Sequence, residues 1–137
     1  MTDFEFEHQF EVGVLPIELF THEAHIRLAW IHITQYGIER AITNIVHQIK
    51  TYIIKHGAKD KFNKTLTVAA VRVVYHFILK TKTKDFETFI RENSRLVTHF
   101  KELLASHYGF DIYNSEQAKK YYVEPDLLPF DSVIPNF

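Results

Sequence analysis

Apolar side chains recur through the centre of this chain at helical spacing. From Ile38 the inner face reads Ile38, Ala41, Ile42, Ile45, Ile49, Tyr52 and Ile53. That spacing of about 3.6 residues predicts a helix from Ile38 to His56. Upstream, Ile26, Trp30 and Ile33, flanked by Leu28 and Ile31, form a second apolar stripe on a helix ending at Tyr36. Thr21 can cap its start at His22, or the chain is already helical from Ile17. The segment Thr65–Leu79 is rich in β-branched residues, so a strand competes. Its length and the Ala69-Ala70 pair favour a helix from about Lys64 to Lys80, buried on nearly all sides.

Shorter helices are predicted beyond it. Asp85 caps Phe86 to Glu92, with Phe89 and Ile90 facing inward. A further helix runs from about Ser94 to Tyr108 over Leu96, Val97, Phe100, Leu103 and Leu104, and Ser115 caps a last piece from Glu116 to Tyr122. All four prolines lie outside 17–124, as an uninterrupted helical centre requires. Gly37, Gly57 and Gly109 each follow a periodic segment directly, where a left-handed C-terminal cap is wanted. The short Gly37 junction makes the helices on either side an antiparallel pair. Before residue 17, Phe4, Phe6, Phe10, Val12 and Val14 alternate with acids and predict an extended arm over 1–16. The proline-bearing tail, 123–137, is also expected to be extended, with Leu127, Leu128 and Phe130 pinning it across the bundle. The reading is an all-α single domain over 1–137, a compact bundle of five to six helices with extended N- and C-terminal arms.

Composition narrows the chemistry. With 46% hydrophobic and 15% aromatic residues in 137, the chain can bury a sizeable core. It has no cysteine, which excludes disulfides, thiolate metal sites and cysteine nucleophiles. No apolar run approaches the ~20 residues of a membrane helix. No Lys or Arg precedes Arg27, so no secretory signal is expected. A cytoplasmic protein that does not enter membranes is the expectation. The net charge of −1 argues against nucleic acid as a partner. The charge is uneven, however. Residues 1–23 carry Asp3, Glu5, Glu7, Glu11, Glu18 and Glu23 and no base, whereas residues 50–84 carry nine Lys or Arg against Asp60 alone. Such a basic segment is either a set of solvated faces or a rim that attracts an anionic ligand or an acidic partner.

On the predicted helix, residues three and four apart share a face, so His22, His25, Ala29, His32 and Tyr36 form one stripe beside the apolar one. Lys and Glu would be ordinary there. The imidazoles are either boundary groups bonded to their neighbours, or His22 and His25 present two nitrogens to a substrate or metal as acid, base or ligand. The pair lacks the Glu and second-His placement of the His-Glu-x-x-His zinc motif. Arg72, in the middle of the third long helix, either snorkels to water, pairs with a carboxylate, or binds an anion inside the bundle. No glycine-rich phosphate loop, nucleophile elbow or paired Glu-x-x-His signature is present, and no cofactor is implied.

Three stretches together carry a resemblance: Phe20-x-His22-x-x-His25-x-Arg27-Leu28-Ala29-Trp30, Lys64-Thr65-Leu66-Thr67, and Ser115-x-x-Ala118-Lys119-x-x-Tyr122-Val123-x-Pro125-Asp126-Leu127-Leu128-Pro129. Over about residues 20–130 the chain resembles a group of small, uncharacterised bacterial all-helical proteins, which brings no established activity. In that group a Tyr-His pair precedes the Thr-x-Thr; here the positions are Phe62 and Asn63. The resemblance would make that histidine a third ligand beside His22 and His25, and this chain offers an amide instead.

The site expected is therefore a polar pocket lined by His22, His25, Asn63, Thr65, Thr67 and Arg72, taking a small and conceivably anionic molecule. The rival is a non-catalytic interaction protein that forms a homodimer through a helix face or binds a partner with its basic segment. Two imidazoles and an amide are a poor set for zinc or iron. The purified protein should hold well under one transition-metal ion per chain and keep its fold in a chelator. Elemental analysis finding about one zinc, iron or manganese per chain, lost in His22→Ala, would contradict this.

Overall fold

Five helix starts are fixed by side chains that take up backbone N–H groups otherwise left without partners. Thr2 accepts from the Glu5 amide at 3.1 Å, Thr21 from Ala24 at 3.2 Å, Asn63 from Leu66 at 2.9 Å, Asp85 from Thr88 at 2.8 Å and Ser115 from Ala118 at 3.1 Å. The structure, a computed structural model, describes residues 1–131. Residues 132–137, the end of the predicted extended tail, lie outside the described residues. Within the described residues are eight α-helices and no strand: α1 Asp3–Glu11, α2 His22–Tyr36, α3 Ile38–Lys55, α4 Lys64–Lys80, α5 Phe86–Glu92, α6 Arg95–Thr98, α7 Phe100–Ala105 and α8 Glu116–Lys120. The fold is all-α and compact.

Helices α2, α3 and α4 pack against one another and form the centre. Leu28 and Ile31 of α2, Ala41 of α3, and Ala69 and Val74 of α4 are completely buried. The two alanines carry no bulk beyond Cβ, which lets the helix backbones come close. Gly37 joins α2 to α3 with φ +84°, a conformation that a β-carbon would strain. The β-branched segment 65–79 is helical because it is enclosed on most of its sides, and burial outweighs propensity there.

The extended arm expected over 1–16 is instead the helix α1, followed by a 3-10 turn at Ile17–Leu19. The Thr2 hydroxyl accepts from the Glu5 amide and donates to the Glu5 carboxylate, which ties the helix start together. Phe6 and Phe10, one turn apart, then point inward together. Phe10 packs on Phe20 and Tyr52 with ring centroids 4.8 and 4.6 Å away, and the Tyr52 hydroxyl donates to the Leu15 carbonyl at 2.8 Å. Arg27 of α2 holds Asp3 at 2.9 Å and lies over the Phe6 ring.

The remaining helices close the other side. Phe86 and Phe89 of α5 sit 6.0 and 6.5 Å from Trp30. The single helix predicted from Ser94 to Tyr108 is two short ones, broken at His99, where ψ is +36° and the ring nitrogen Nδ1 lies 2.7 Å from the Thr98 hydroxyl. This break, together with α1, raises the five to six helices predicted to eight.

The tail crosses back mainly by polar contacts. The Leu127 and Leu128 amides donate to the carbonyls of His107 and Ser106, the Gly109 amide donates to Asp126, and both leucine side chains stay exposed. Phe130 does pack, against His107 and Tyr108.

Because Phe10 is 1% exposed and wedged between two aromatic rings, Phe10→Ala should destabilise the whole domain by about 3–5 kcal/mol. Urea unfolding followed by circular dichroism measures this. A loss below about 1 kcal/mol would mean that α1 is not part of the cooperative core.

Candidate functional site

Helices α2, α3 and α4 do not close completely at the end where α4 begins. A cavity of about 330 Å³ lies between them. Its walls are aliphatic: Ile26 and Ala29 from α2, Ile45 and Ile49 from α3, Ala70 and Val74 from α4. The polar groups come from His22, His25, Lys61, Asn63, Thr67 and Tyr113, with Phe100 beside them. His22 and Lys61 are exposed residues, so they mark the side open to solvent.

Of the residues predicted for the site, four line this cavity. His22 turns its Nε2 inward and donates to the Leu96 carbonyl at 2.9 Å, since a carbonyl oxygen can only accept. Its ring edge meets Phe100 at 4.8 Å. His25 stacks on Phe20 with centroids 3.8 Å apart, and neither ring nitrogen has a hydrogen-bond partner among the described residues. Burial, helped by the charge His22 can carry, pushes the His25 pKa down from 6.5 to about 4. At neutral pH this imidazole is uncharged and has a free lone pair.

Asn63 and Thr67 line the cavity but are engaged. The Asn63 Oδ1 caps α4, and its Nδ2 donates to the Ile112 carbonyl at 2.7 Å. The Thr67 hydroxyl donates to the Asn63 carbonyl at 2.8 Å.

Thr65 and Arg72 lie elsewhere. Thr65 is fully buried; its hydroxyl donates to the Tyr121 carbonyl at 2.8 Å and accepts from the Val123 amide at 3.0 Å. It ties α4 to the chain leaving α8. Arg72 faces the tail, where Nη1 reaches the Asp131 carbonyl at 3.5 Å. One turn on, His76 Nδ1 lies 2.6 Å from the Asp131 carboxylate.

Lys61, Phe100 and Tyr113 were not legible as site residues. Lys61 had only its place in the basic segment to mark it, and nothing in the pattern brings the 106–115 loop over the cavity. A second polar group was also missed. Glu7 of α1 is buried against α2, accepting from the Tyr36 hydroxyl at 2.7 Å and lying 3.9 Å from His32 Nε2. His32 has no solvent exposure, and burial lowers its pKa against the opposing charge of Glu7. Its ring faced the histidine stripe as expected, but its partner sat in a stretch read as extended.

Among the described residues no three His, Cys, Asp or Glu side chains converge as metal ligands, and no helix is long and apolar enough to cross a membrane. Comparison with protein-family models, with curated proteins and with solved structures finds no match to this chain.

The His25 shift fixes a pH dependence. Between pH 6.5 and about 4 the unfolded chain binds a proton that the folded chain refuses, so stability falls as pH drops through that window and the loss is complete below about 4. It amounts to ~3 kcal/mol at most, and His32 adds in the same direction. An NMR titration should give the His25 ring a midpoint well below those of exposed histidines; a midpoint near 6.5 would show that the ring is solvated.

Proposed function

We propose that the cavity binds a small, largely aliphatic molecule that carries one anionic group. The observation that supports this reading most directly is the mixed lining: aliphatic side chains from three helices, together with an uncharged His25 that has no partner and the ammonium of Lys61. Aliphatic walls take an apolar body, and the few polar groups fix its orientation. Lys61 supplies the positive charge a carboxylate needs, because His25 is neutral. The neutral His25 ring then donates its N–H to the carboxylate, and its other nitrogen can take a proton from an acidic position on the ligand if the site is catalytic.

At about 330 Å³ the cavity is at the small end of ligand sites and suits roughly ten non-hydrogen atoms. An eight-carbon carboxylate is of that size. The setting proposed is cytoplasmic, in keeping with a chain free of cysteine.

Calorimetric titration with octanoate, octanol and octylamine tests the reading. Octanoate should bind saturably, octanol more weakly and octylamine least. Lys61→Ala should weaken octanoate by about tenfold, ~1.4 kcal/mol, and leave octanol unchanged. Ala70→Phe, which fills the space, should abolish both. Saturable binding of none of the three to the folded wild-type protein would overturn the proposal.

A further inference from the structure

A second, larger depression of about 820 Å³ lies on the surface where the C-terminal half of α3, the 3-10 turn Lys59–Lys61 and α8 meet. Lys50, Lys59, Lys64, Lys119 and Lys120 surround it. The acids present are Asp60 and Glu116, and Glu116 already lies 3.7 Å from Lys119. Its floor is apolar: Ile54 is 46% exposed, and Lys50 lies over the ring of Phe62 at 5.9 Å. This is a groove for a segment both acidic and hydrophobic.

The chain carries such a segment itself. The first nineteen residues expose Met1, Phe4, Val12, Val14, Ile17 and Leu19, with Phe4 at 74%. Asp3 is taken by Arg27 and Glu7 is buried. Glu5, Glu11 and Glu18 are exposed and have no cationic partner among the described residues. The segment cannot reach its own groove, because Phe10 anchors it under Tyr52 and Phe20.

The two surfaces flank the same end of α3. Lys55 reaches the Val12 carbonyl at 3.3 Å on one side of the helix, while Lys50 and Ile54 face the groove on the other. A twofold axis near that helix end would lay each copy's acidic segment against the other's groove and use both surfaces at once. Such a contact closes on itself rather than propagating.

We propose that this chain pairs with a second copy of itself through these two surfaces. Opposite charges steer the encounter, and the exposed apolar side chains on both faces supply the burial.

Analytical ultracentrifugation over a range of concentrations tests this, first at low salt and then at high salt. A dimer that weakens as salt rises is expected, since rim charges are screened. Lys50→Glu with Lys120→Glu should raise the dimer dissociation constant about tenfold or more, and so should Glu11→Lys with Glu18→Lys. Mixing the two doubly substituted proteins should restore pairing, because both contacts of the mixed dimer are then matched. All four positions are exposed, and circular dichroism confirms that the variants fold. A wild-type protein that stays monomeric at all concentrations overturns the proposal. So does a dimer indifferent to both charge reversals, or two variants that fail to pair with each other. A monomer that instead binds heparin or an acidic peptide through these lysines would assign the groove to a different partner and also overturn it.

Discussion

The side chain of Asn63 fixes two parts of this structure at once. One end of the amide starts α4 by accepting from Leu66, and the other end grips the Ile112 carbonyl, forty-nine positions along the chain. The residue is buried, so neither bond competes with water, and losing one would leave a polar group unsatisfied at a cost of about 1–3 kcal/mol. Two positions on, Thr65 does the same work for the strand of chain leaving α8. The first turn of α4 thereby fixes where two otherwise irregular segments run. The 106–115 loop carries Tyr113 to the cavity because Asn63 holds its neighbour Ile112.

That arrangement limits which polar groups of the cavity are free. The side chains of α4's first turn are spent on backbone carbonyls: Asn63 on Ile112, Thr65 on Tyr121 and Thr67 on Asn63. The groups left over include His25, with no partner, Lys61, with no counter-ion among the described residues, and the Tyr113 hydroxyl. Asn63, Thr65 and Thr67, expected from the sequence to bind a ligand, are structural ties. A neutral imidazole, a tyrosine hydroxyl and an exposed lysine remain for chemistry.

How much could be read in advance follows from how local each signal is. α2, α3 and α4 were legible because their apolar periodicity extends over four or more turns, and Gly37 marks the junction between two of them. α1 was misread although its signals are equally local: Thr2-x-x-Glu5 is a helix-start pattern, and Phe6 and Phe10 are a turn apart. The exposed Phe4 sits two residues before Phe6 and imitates a strand's alternation. The error propagated, for with Glu7 placed in an extended arm, His32 had no visible partner. Asn63 was read as a group that contacts a ligand, whereas it caps α4; its grip on Ile112 was not legible, since no pattern in the chain relates 63 to 112. Arg72 drew attention as a charge on an apolar helix, and what it faces is set by the tail, a long-range outcome of the same kind.

The segment 59–64 belongs to both depressions. Lys61 and Asn63 line the cavity, while Lys59, Asp60, Phe62 and Lys64 line the basic groove. The alternation comes from the tight 3-10 turn followed by extended backbone at Phe62 and Asn63, which sends successive side chains to opposite sides. Asn63 is clamped at both ends, so this short segment has little freedom to shift on one side without shifting on the other. If the proposed ligand and the proposed second copy both bind, any coupling through this segment is reciprocal: each changes the other's affinity by the same factor. The cavity and the groove share these six residues of backbone, so coupling between them needs no longer path across the bundle.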